Sequence, residues 1–334
     1  MSMTRFELPA EWATHSFLWI GWPYLAEEWD GALAAAREQI AEFVRAAGVF
    51  VPVKIACGSD EAYASAHERL GSIAECVNVP CGDIWLRDTG PVVTRAVTGL
   101  HAQLFRFNGW GGKYNMPGDT QTASAIASVH DLPKTQHEFI LEGGAIDCDG
   151  EGRLLTTSEC LLNPNRNNWT KAEAEAALKG ALGVVQIIWL DTGLLNDHTD
   201  GHVDNIARFI GPGHVLCQSP SGQDDPNADR LLTIEDTLRE AGLNVTAIAS
   251  PGLITSEGGE ALPASHMNFT ITNGAVLVPV YEDHFAHVAL AELRAVFPDH
   301  EVIGLPANEI LKGGGSFHCM TREIPARLTQ KDEI

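Results

Sequence analysis

The sequence predicts an α/β protein whose repeated modules close into a ring, a five-bladed pseudo-symmetric α/β propeller. Three observations support this fold class. The order hairpin, helix, strand recurs along the 334-residue chain. The repeat of about 50 to 65 residues suits radial repetition better than a doubly wound sheet. The polar motifs also fall at the same point of each repeat. An ordinary α/β sandwich is the alternative that spacing alone leaves open.

The modules differ in how clearly they show this order. Residues 15–80 hold the loosest one, with a helix expected from an N-cap at Asp30 to a C-cap at Gly48. No low-complexity segment or Pro/Ser-rich linker interrupts the chain, which predicts one domain over residues 1–334. Apolar patterning and turn residues place the hairpin, helix and strand of the other modules at 91–107, 119–131 and 137–141; 141–160, 170–182 and 184–190; 205–218, 226–242 and 244–250; and 267–280, 282–297 and 300–306.

Composition narrows the class of protein. Apolar residues make up 45% and charged residues 20%, and no run reaches the roughly 18 to 20 apolar residues that a membrane span needs. Glu7 and Glu11 precede the first apolar stretch where a signal peptide would be basic, so we expect a cytoplasmic protein. The net charge of −22 argues against nucleic-acid or membrane partners. This negative charge gives only weak support for a cationic ligand, because a need for solubility also explains the charge.

Seven scattered cysteines, at 57, 76, 81, 148, 160, 217 and 319, contain no CxxC pair and fit neither a disulfide framework nor a zinc ribbon. Most are expected to be small core residues. Cys319 differs, because it ends the motif GGGSFHC, whose three glycines permit close backbone approach to a ligand. We therefore interpret Cys319 as a nucleophile, with a buried structural cysteine as the alternative. The adjacent His318 would face the opposite way in an extended segment.

Five polar loops follow the last strand of their modules: CGDIWLRDTGP (81–91), LEGG (141–144), NDHTDGHVD (196–204), ALPASHMNF (261–269) and GGGSFHC (313–319). Equivalent positions of a closed ring face the same axis. The sequence therefore predicts one central site that gathers Asp88, Glu142, His202, Asp204, Asn268 and Cys319.

The residue types suggest roles. If VDNI begins a strand, His202 and Asp204 alternate onto one face and place an imidazole beside a carboxylate. A metal site at His198, His202 and Asp204 is the alternative; Gly201 and the missing HExxH glutamate argue against it. Glu142 could orient His202 or could simply flank a hairpin turn. Asn268 could do no more than hydrogen-bond locally.

The motif WLRDTGP offers a carboxylate for a cation. Asp88 and Asp204 together could accept the N–H groups of a guanidinium, whose planar fork matches carboxylates. Trp85 could then pack against the bound cation. Asp88 could instead cap the turn or pair with Arg87. The segment LLNPNRNN (161–168) is interpreted as a structural loop.

In order and spacing, WLRDTGP, LEGG, LLTTSECLLNPNRN, TDGHVDN, MNF…NGAVLVP and GGGSFHC resemble the agmatine deiminase family, related to bacterial peptidylarginine deiminases within the guanidine-modifying superfamily. The resemblance runs from about Pro9 to Pro325. It implies the five-bladed pentein propeller and the reaction of agmatine with water to give N-carbamoylputrescine and ammonia, without cofactor or metal. By the same resemblance Cys319 is the nucleophile, His202 the general acid/base and Glu142 its support, Asp88 and Asp204 hold the guanidinium, and Trp85 lines the substrate slot.

Two departures from the family pattern concern the substrate tail. Many members carry an acidic residue where this chain has His198, and many read GGGNIHC at the last motif. We therefore predict His198 and Asn268 as further substrate contacts, without settling which guanidino compound is bound.

A deiminase for free or peptidyl arginine would need a cation for the carboxylate, and the motif loops offer Arg87, Arg166 and Arg322. The residues also leave open an amidinotransferase, a metal-dependent hydrolase and an inactive binding protein. The propeller faces leave surface on which a homodimer could form.

Overall fold

The computed structural model describes residues 6–29 and 31–327, and within them five small sheets surround one axis. Four sheets share one pattern: two strands form an antiparallel hairpin, and a third pairs in parallel with the second. The fold is the predicted five-bladed α/β propeller. The strands are β1 His15–Trp22, β2 Val53–Cys57, β3 Glu75–Asn78, β4 Val92–Ala96, β5 Gly99–Arg106, β6 Lys134–Ile140, β7 Ile146–Cys148, β8 Arg153–Thr157, β9 Gln186–Leu190, β10 Ala207–Gly211, β11 His214–Ser219, β12 Asn244–Ala249, β13 Thr270–Ile271, β14 Ala275–Val280, β15 Glu301–Pro306 and β16 Thr321–Pro325.

Helices make the crossovers that parallel strands require. The longer ones, each joining two parallel strands, are Leu33–Ala47, Asp60–Leu70, Asp119–Val129, Lys171–Leu182, Ala228–Glu240 and Ala286–Val296. Short α-helical turns lie at Leu86–Thr89, Gly109–Gly112, Ser158–Leu161 and Asn308–Leu311, and 3₁₀ turns at Ala26–Trp29, Gly143–Ala145 and Val203–Asn205. None of these helices is long and apolar enough to cross a membrane.

The looseness of the first module has a topological cause. Its four-stranded sheet has the order β16-β1-β2-β3, so the antiparallel partner of β1 comes from the end of the chain and not from a neighbouring hairpin. This pairing joins the end of the described chain to the first module and closes the ring. The first helix ends at the predicted C-cap Gly48. The expected N-cap Asp30 lies outside the described residues.

The other modules match their predicted boundaries closely. The helix Lys171–Leu182, for example, begins with a capping box in which the Thr170 hydroxyl and the Glu173 carboxylate satisfy each other's backbone N–H groups. Apolar side chains of each helix pack on its sheet, as Ile40 and Val44 do on Leu18 and Ile55 in the first blade. The axis of the ring is instead polar. Its buried side chains include Arg87, Asp88, Glu142, His202, Asp204, Arg208, His318 and Arg322.

Candidate active site

Each polar loop follows the last strand of its module, as predicted, and the five loops meet at the axis. GGGSFHC turns tightly beneath two indole rings. A Cβ added at Gly313 would lie 2.9 Å from the Trp29 ring, and one at Gly315 would lie 2.7 Å from the Trp85 ring. Gly314 has a φ of 103°, in the region that glycine adopts without strain. The glycines are therefore required by the tryptophans that pack on the loop, and together they fix the position of Cys319.

The Cys319 thiol is buried and held by a neighbouring amide. Asn268 Nδ2 donates to Sγ at 3.1 Å, while Asn268 Oδ1 accepts from the backbone N–H groups of His318 and Cys319 at 2.9 and 3.2 Å. Sγ also lies 3.8 Å from Asp204 Oδ2. Burial, followed by the Asp204 and Asp88 carboxyls, raises the pKa of the thiol well above its ordinary value. This shift favours the thiol over the thiolate when no cation is bound.

Asp88, His202 and Asp204 meet around one glycine. A Cβ at Gly144 would lie 2.6 Å from His202 Nδ1 and 3.0 Å from a carboxyl oxygen of each aspartate. Only glycine fits there, which explains the second glycine of LEGG. The carboxyl of Asp88 accepts hydrogen bonds from Gly144 N at 2.8 Å and from Trp110 Nε1 at 2.9 Å, and it lies 3.8 Å from His202 Nδ1.

The prediction that VDNI begins a strand, which placed His202 beside Asp204, was wrong. Residues Val203–Asn205 form a 3₁₀ turn, and the strand begins only at Ala207. The preceding Asp200 and Gly201 have φ values of 64° and 84°, so a left-handed turn directs this segment inward. The two side chains still reach the same site. Burial, reinforced by Asp88, raises the pKa of Asp204 well above its usual value.

Glu142 lies behind His202 and is tied to an arginine that sequence reasoning assigned to a structural loop. Arg166 Nε donates to Glu142 Oε1 at 2.6 Å, and Arg166 also donates to Asp200 Oδ2 at 2.7 Å and to the Thr199 carbonyl at 3.0 Å. The interpretation of residues 161–168 as merely structural therefore needs correction. This loop supplies the cation that connects Glu142 to the turn carrying His202.

A cavity of about 120 Å³ opens onto Cys319. Aromatic side chains form much of its wall, and Tyr114 Oη lies 3.1 Å from the exposed His198 Nδ1. Burial raises the pKa of Asp83, which also lines the cavity, to about 8. The lining residues are Glu28, Trp29, Asp83, Trp85, Asp88, Trp110, Tyr114, His198, Thr199, Lys312, Gly313, Gly314, Gly315 and Cys319.

The predicted site residues thus occupy three positions. Cys319, Asp88, Trp85 and His198 line the cavity. Asp204, His202 and Glu142 lie buried beside it. Asn268 contacts the thiol of Cys319 and is not among the residues that line the cavity, and its role as a substrate contact stays a prediction. Arg87 does not pair with Asp88; its guanidinium lies 2.7 Å from Glu323 on the other side of the axis.

The predicted alternative metal set does not converge. His198 is exposed at the cavity mouth while His202 is fully buried. Within residues 6–29 and 31–327, the ligand atoms that come within 4.8 Å of one another belong to Glu142, Cys160 and His202. That trio suits a metal poorly, because Arg166 already neutralises Glu142. Burial, with Glu142 next, raises the pKa of the Cys160 thiol well above its ordinary value.

Sequence reasoning missed several residues of the site. Trp110 and Tyr114 come from the segment NGWGGKY after β5, where Trp110 has a φ of 52°. Its glycines around a tryptophan are a signal of the kind that identified GGGSFHC. Asp83 stood inside a recognised motif but had no assigned role. Only the fold shows that it lines the same cavity as Cys319.

Comparison with known proteins decides the family. Residues 7–325 match the model of the Porphyromonas-type peptidyl-arginine deiminase family. This chain belongs to that family. A curated relative, the agmatine deiminase of Stutzerimonas stutzeri, is 37% identical over 353 residues, 96% of each chain. Membership confirms the resemblance seen in the six sequence motifs.

Solved structures confirm the fold of this member of the deiminase family. The agmatine deiminase of Enterococcus faecalis superposes with a TM-score of 0.90 at 28% identity and covers 96% of each chain. A cysteine-to-serine variant of the C. jejuni agmatine deiminase with substrate bound superposes with a TM-score of 0.91 at 28% identity, covering 98% of this chain and 99% of the other. The five-module propeller is therefore the common fold of these deiminases.

Proposed function

We propose that this protein hydrolyses agmatine to N-carbamoylputrescine and ammonia through a covalent adduct on Cys319. The observation that carries the proposal is a buried thiol between two carboxyl groups, Asp88 and Asp204, at the end of a cavity whose other acids can meet a second cation. A guanidinium supplies the positive charge that this cluster lacks. The relatives named agmatine deiminase agree with this choice of substrate.

Substrate binding follows from the charges. The planar N–H groups of a guanidinium match two carboxylates, so Asp88 and Asp204 hold the group protonated and flat next to Sγ. Trp110 Nε1 and Gly144 N fix the orientation of Asp88 by donating to its two oxygens. Trp85 forms the adjacent wall. Positioning of this kind matters because guanidinium is a weak electrophile and attack requires an aligned sulfur.

The chemistry needs one nucleophile and one proton carrier. In the proposal the Cys319 thiolate attacks the guanidinium carbon, and His202 gives a proton to the departing nitrogen, which leaves as ammonia. The thiouronium adduct on Cys319 is then attacked by a water molecule that the same histidine deprotonates. The C–S bond breaks, the thiol is restored and the ureido product leaves. Glu142, held by Arg166, supports His202 from behind.

The thiol is activated by the substrate itself. Two carboxyls beside Sγ raise the pKa of Cys319 in the free enzyme, whereas a bound cation would lower it. His202 can receive the thiol proton once the guanidinium has neutralised the carboxylates. Nucleophilicity therefore arises only where a correct substrate is present.

The acidic side chains of the cavity favour an amine over an amino acid. Asp83 and Glu28 line the cavity, and either can face the primary ammonium of agmatine. The three arginines offered by the motif loops are committed elsewhere: Arg87 and Arg322 to Glu323, and Arg166 to Glu142 and Asp200. Lys312 is the lining cation among the described residues, and its Nζ lies 3.0 Å from Glu309. Free arginine would place its carboxylate against acids.

The test is product analysis with the purified protein. Agmatine, arginine and a short peptide ending in arginine are incubated separately, with and without EDTA, and ammonia and ureido product are measured. We expect product from agmatine, no effect of the chelator, and a loss of at least about 10⁴-fold in Cys319→Ser. Turnover of only the peptide or only arginine would show that this compound, and not agmatine, is the substrate. Inhibition by EDTA would favour a metal-dependent hydrolase, and transfer of the amidino group to an added amine would favour an amidinotransferase.

A further inference from the structure

The side chain of His318 points away from the substrate cavity, opposite to its neighbour Cys319. Its Nδ1 lies 2.7 Å from Asp204 Oδ2, and its Nε2 lies 3.3 Å from Glu11 Oε2. The side chains of His318 and Asp204 are buried, and Glu11 is 8% exposed. One imidazole therefore connects the carboxyl that faces Cys319 to a carboxyl on the other side of the axis.

Glu11 occupies a second, separate opening. With His318 it lines a cavity of about 40 Å³ that shares no lining residue with the substrate cavity. Such a volume suffices for water. Glu11 Oε1 accepts from Ile271 N at 3.0 Å, and the Arg208 guanidinium contacts Oε2. The arginine favours the carboxylate form of Glu11, so a proton that arrives there will pass on to solvent.

Asp204 has a proton to lose when substrate binds. In the free enzyme it is buried beside Asp88, and its Oδ1 has no hydrogen-bond partner among the described residues. A docked guanidinium requires the ionised form. The substrate fills the cavity on the Cys319 side, which leaves the His318 side as the direct exit.

We propose that Asp204, His318 and Glu11 form a proton relay that removes the carboxyl proton of Asp204 to the opposite face of the propeller when a guanidinium docks. The inference rests on the proposed function, because the docking cation is what drives the transfer. It gives His318 a positioning role for the protonation state of Asp204, without contact with the substrate.

The transfer balances without a charged intermediate. The Asp204 proton moves to His318 Nδ1 as the Nε2 proton moves to Glu11 Oε2, so the imidazole exchanges one neutral tautomer for the other. Burial, then Arg208, Arg87 and Arg322, lowers the pKa of His318 well below its ordinary value, which disfavours the imidazolium. The charged and titratable side chains around it are Arg87, Asp147, His202, Arg208, Arg322 and Glu323. Product release returns the tautomer by the reverse path.

The first test counts protons. Agmatine is titrated calorimetrically into Cys319→Ser, which prevents turnover, in buffers of different ionisation enthalpy near pH 7. Asp83→Asn is added to this background, because Asp83, with a pKa of about 8, would release a proton of its own on meeting the ammonium group. In the double variant we expect close to one proton released per agmatine bound. Binding without proton release would overturn the relay and leave the proposed function intact. Failure of agmatine to bind would overturn the proposed function, and the relay with it.

The second test separates a relay from a structural role. In the Cys319→Ser background, proton release after rapid mixing with agmatine is followed with a pH indicator. Glu11→Gln should slow release by about tenfold or more, whereas Glu11→Asp should restore most of the rate. Glu7→Gln, an exposed glutamate of the same segment, is the matched control. An unchanged release rate in Glu11→Gln would overturn the relay. If that variant does not fold, release in the Cys319→Ser protein should still slow in deuterium oxide, and an absence of slowing would overturn it equally.

Discussion

Asp204 is a buried carboxyl and Glu323 a carboxyl that is 18% exposed; both lie near the axis, yet their surroundings differ. Burial opposes the ionisation of Glu323, but Arg87 at 2.7 Å and Arg322 at 3.7 Å outweigh it and hold its pKa at about 2. Asp204 faces Asp88, a thiol and an imidazole, and its pKa is raised. One side of the axis thus supplies its own cations. On the substrate side neither Asp88 nor Asp204 pairs with a lysine or an arginine among the described residues, and this deficit suits the pair to bind a guanidinium.

The largest effect is expected from a substitution on the substrate side, where the carboxyls lack a cation. Asp204→Asn should lower kcat/KM for agmatine by about 10³-fold or more, because one of the two carboxylates that accept the guanidinium N–H groups is lost. It should also stabilise the protein at alkaline pH. A carboxyl whose folded pKa is raised costs stability above its unfolded pKa of about 3.9, and the cost grows until the folded pKa is passed. We expect the Tm at pH 8 to rise by roughly 2 °C or more.

Thermal unfolding at pH 8 and near pH 3.5 checks the sign of this effect. The stability difference between Asp204→Asn and the natural protein should shrink at the lower pH, where the carboxyl is protonated in the folded state and largely protonated in the unfolded state. A Tm that falls equally at both pH values would contradict the assignment of Asp204 as an uncompensated carboxyl.

The second prediction removes the carboxylate from the side of the axis that supplies its own cations. Glu323→Gln leaves the Arg87 and Arg322 guanidiniums buried without their carboxylate, which should cost about 3 to 5 kcal/mol of unfolding free energy. Because the folded pKa of Glu323 is depressed to about 2, the stability that it contributes is present above its unfolded pKa and is lost as pH falls towards 2. Denaturant titration at pH 7 and pH 3 measures both. An unchanged midpoint at pH 7 would show that the pair is not structural.

The same contrast shows what could be read from the sequence. The blades were predictable because each repeats one order of hairpin, helix and strand, and because each strand carries its own apolar pattern. The five loops were predictable as one site because ring symmetry fixes where they point. Cys319 was marked by its three glycines, although only the structure shows the indole rings of Trp29 and Trp85 that require them.

What escaped the sequence depends on pairs distant in the chain. Arg166 lies in an ordinary-looking asparagine-rich loop, and its contact with Glu142 spans 24 residues. His318 and Glu11 stand at opposite ends of the chain, yet their side chains lie 3.3 Å apart. No local pattern encodes such contacts. The turn before His202 was misread for a local reason, since Asp200 adopts a left-handed conformation that its residue type does not require.

A third prediction tests whether a cation bound on the substrate side promotes ionisation of the Cys319 thiol. Because burial, Asp204 and Asp88 raise the pKa of Cys319, the free enzyme should show little thiolate at pH 7 to 8. Addition of guanidinium ion should increase thiolate absorbance in the ultraviolet, with Cys319→Ser as the blank. Rapid alkylation of Cys319 by iodoacetamide below pH 7 without any guanidine would contradict substrate-dependent activation.

A fourth, smaller effect concerns the tail of the substrate. Asp83→Asn should raise the KM for agmatine about tenfold with little change in kcat, since a charged hydrogen bond to the primary ammonium is lost. The pKa of Asp83 is about 8, so this contribution should grow as pH rises through 8. Butylguanidine has the same guanidinium with an apolar tail and is the matched substrate. An equal loss with both compounds would show that Asp83 acts on the guanidinium end.

The smallest expected effect is at the cavity mouth, where His198 is exposed and stacks on Tyr114 with ring centroids 6.0 Å apart. His198→Glu adds a negative charge at the cavity mouth. We expect the KM for agmatine to fall by about 1.4- to fivefold, because an exposed ion pair contributes roughly 0.2 to 1 kcal/mol.

Salt and a neutral control decide whether this effect is electrostatic. The gain of His198→Glu should fade in about 1 M salt, where screening acts over roughly 3 Å. His198→Gln, which keeps a polar side chain of similar length without the charge, should leave the KM for agmatine near that of the natural protein. Butylguanidine should not respond to either variant. A gain for butylguanidine equal to that for agmatine would mean that His198 controls entry to the cavity and does not act on the ammonium group.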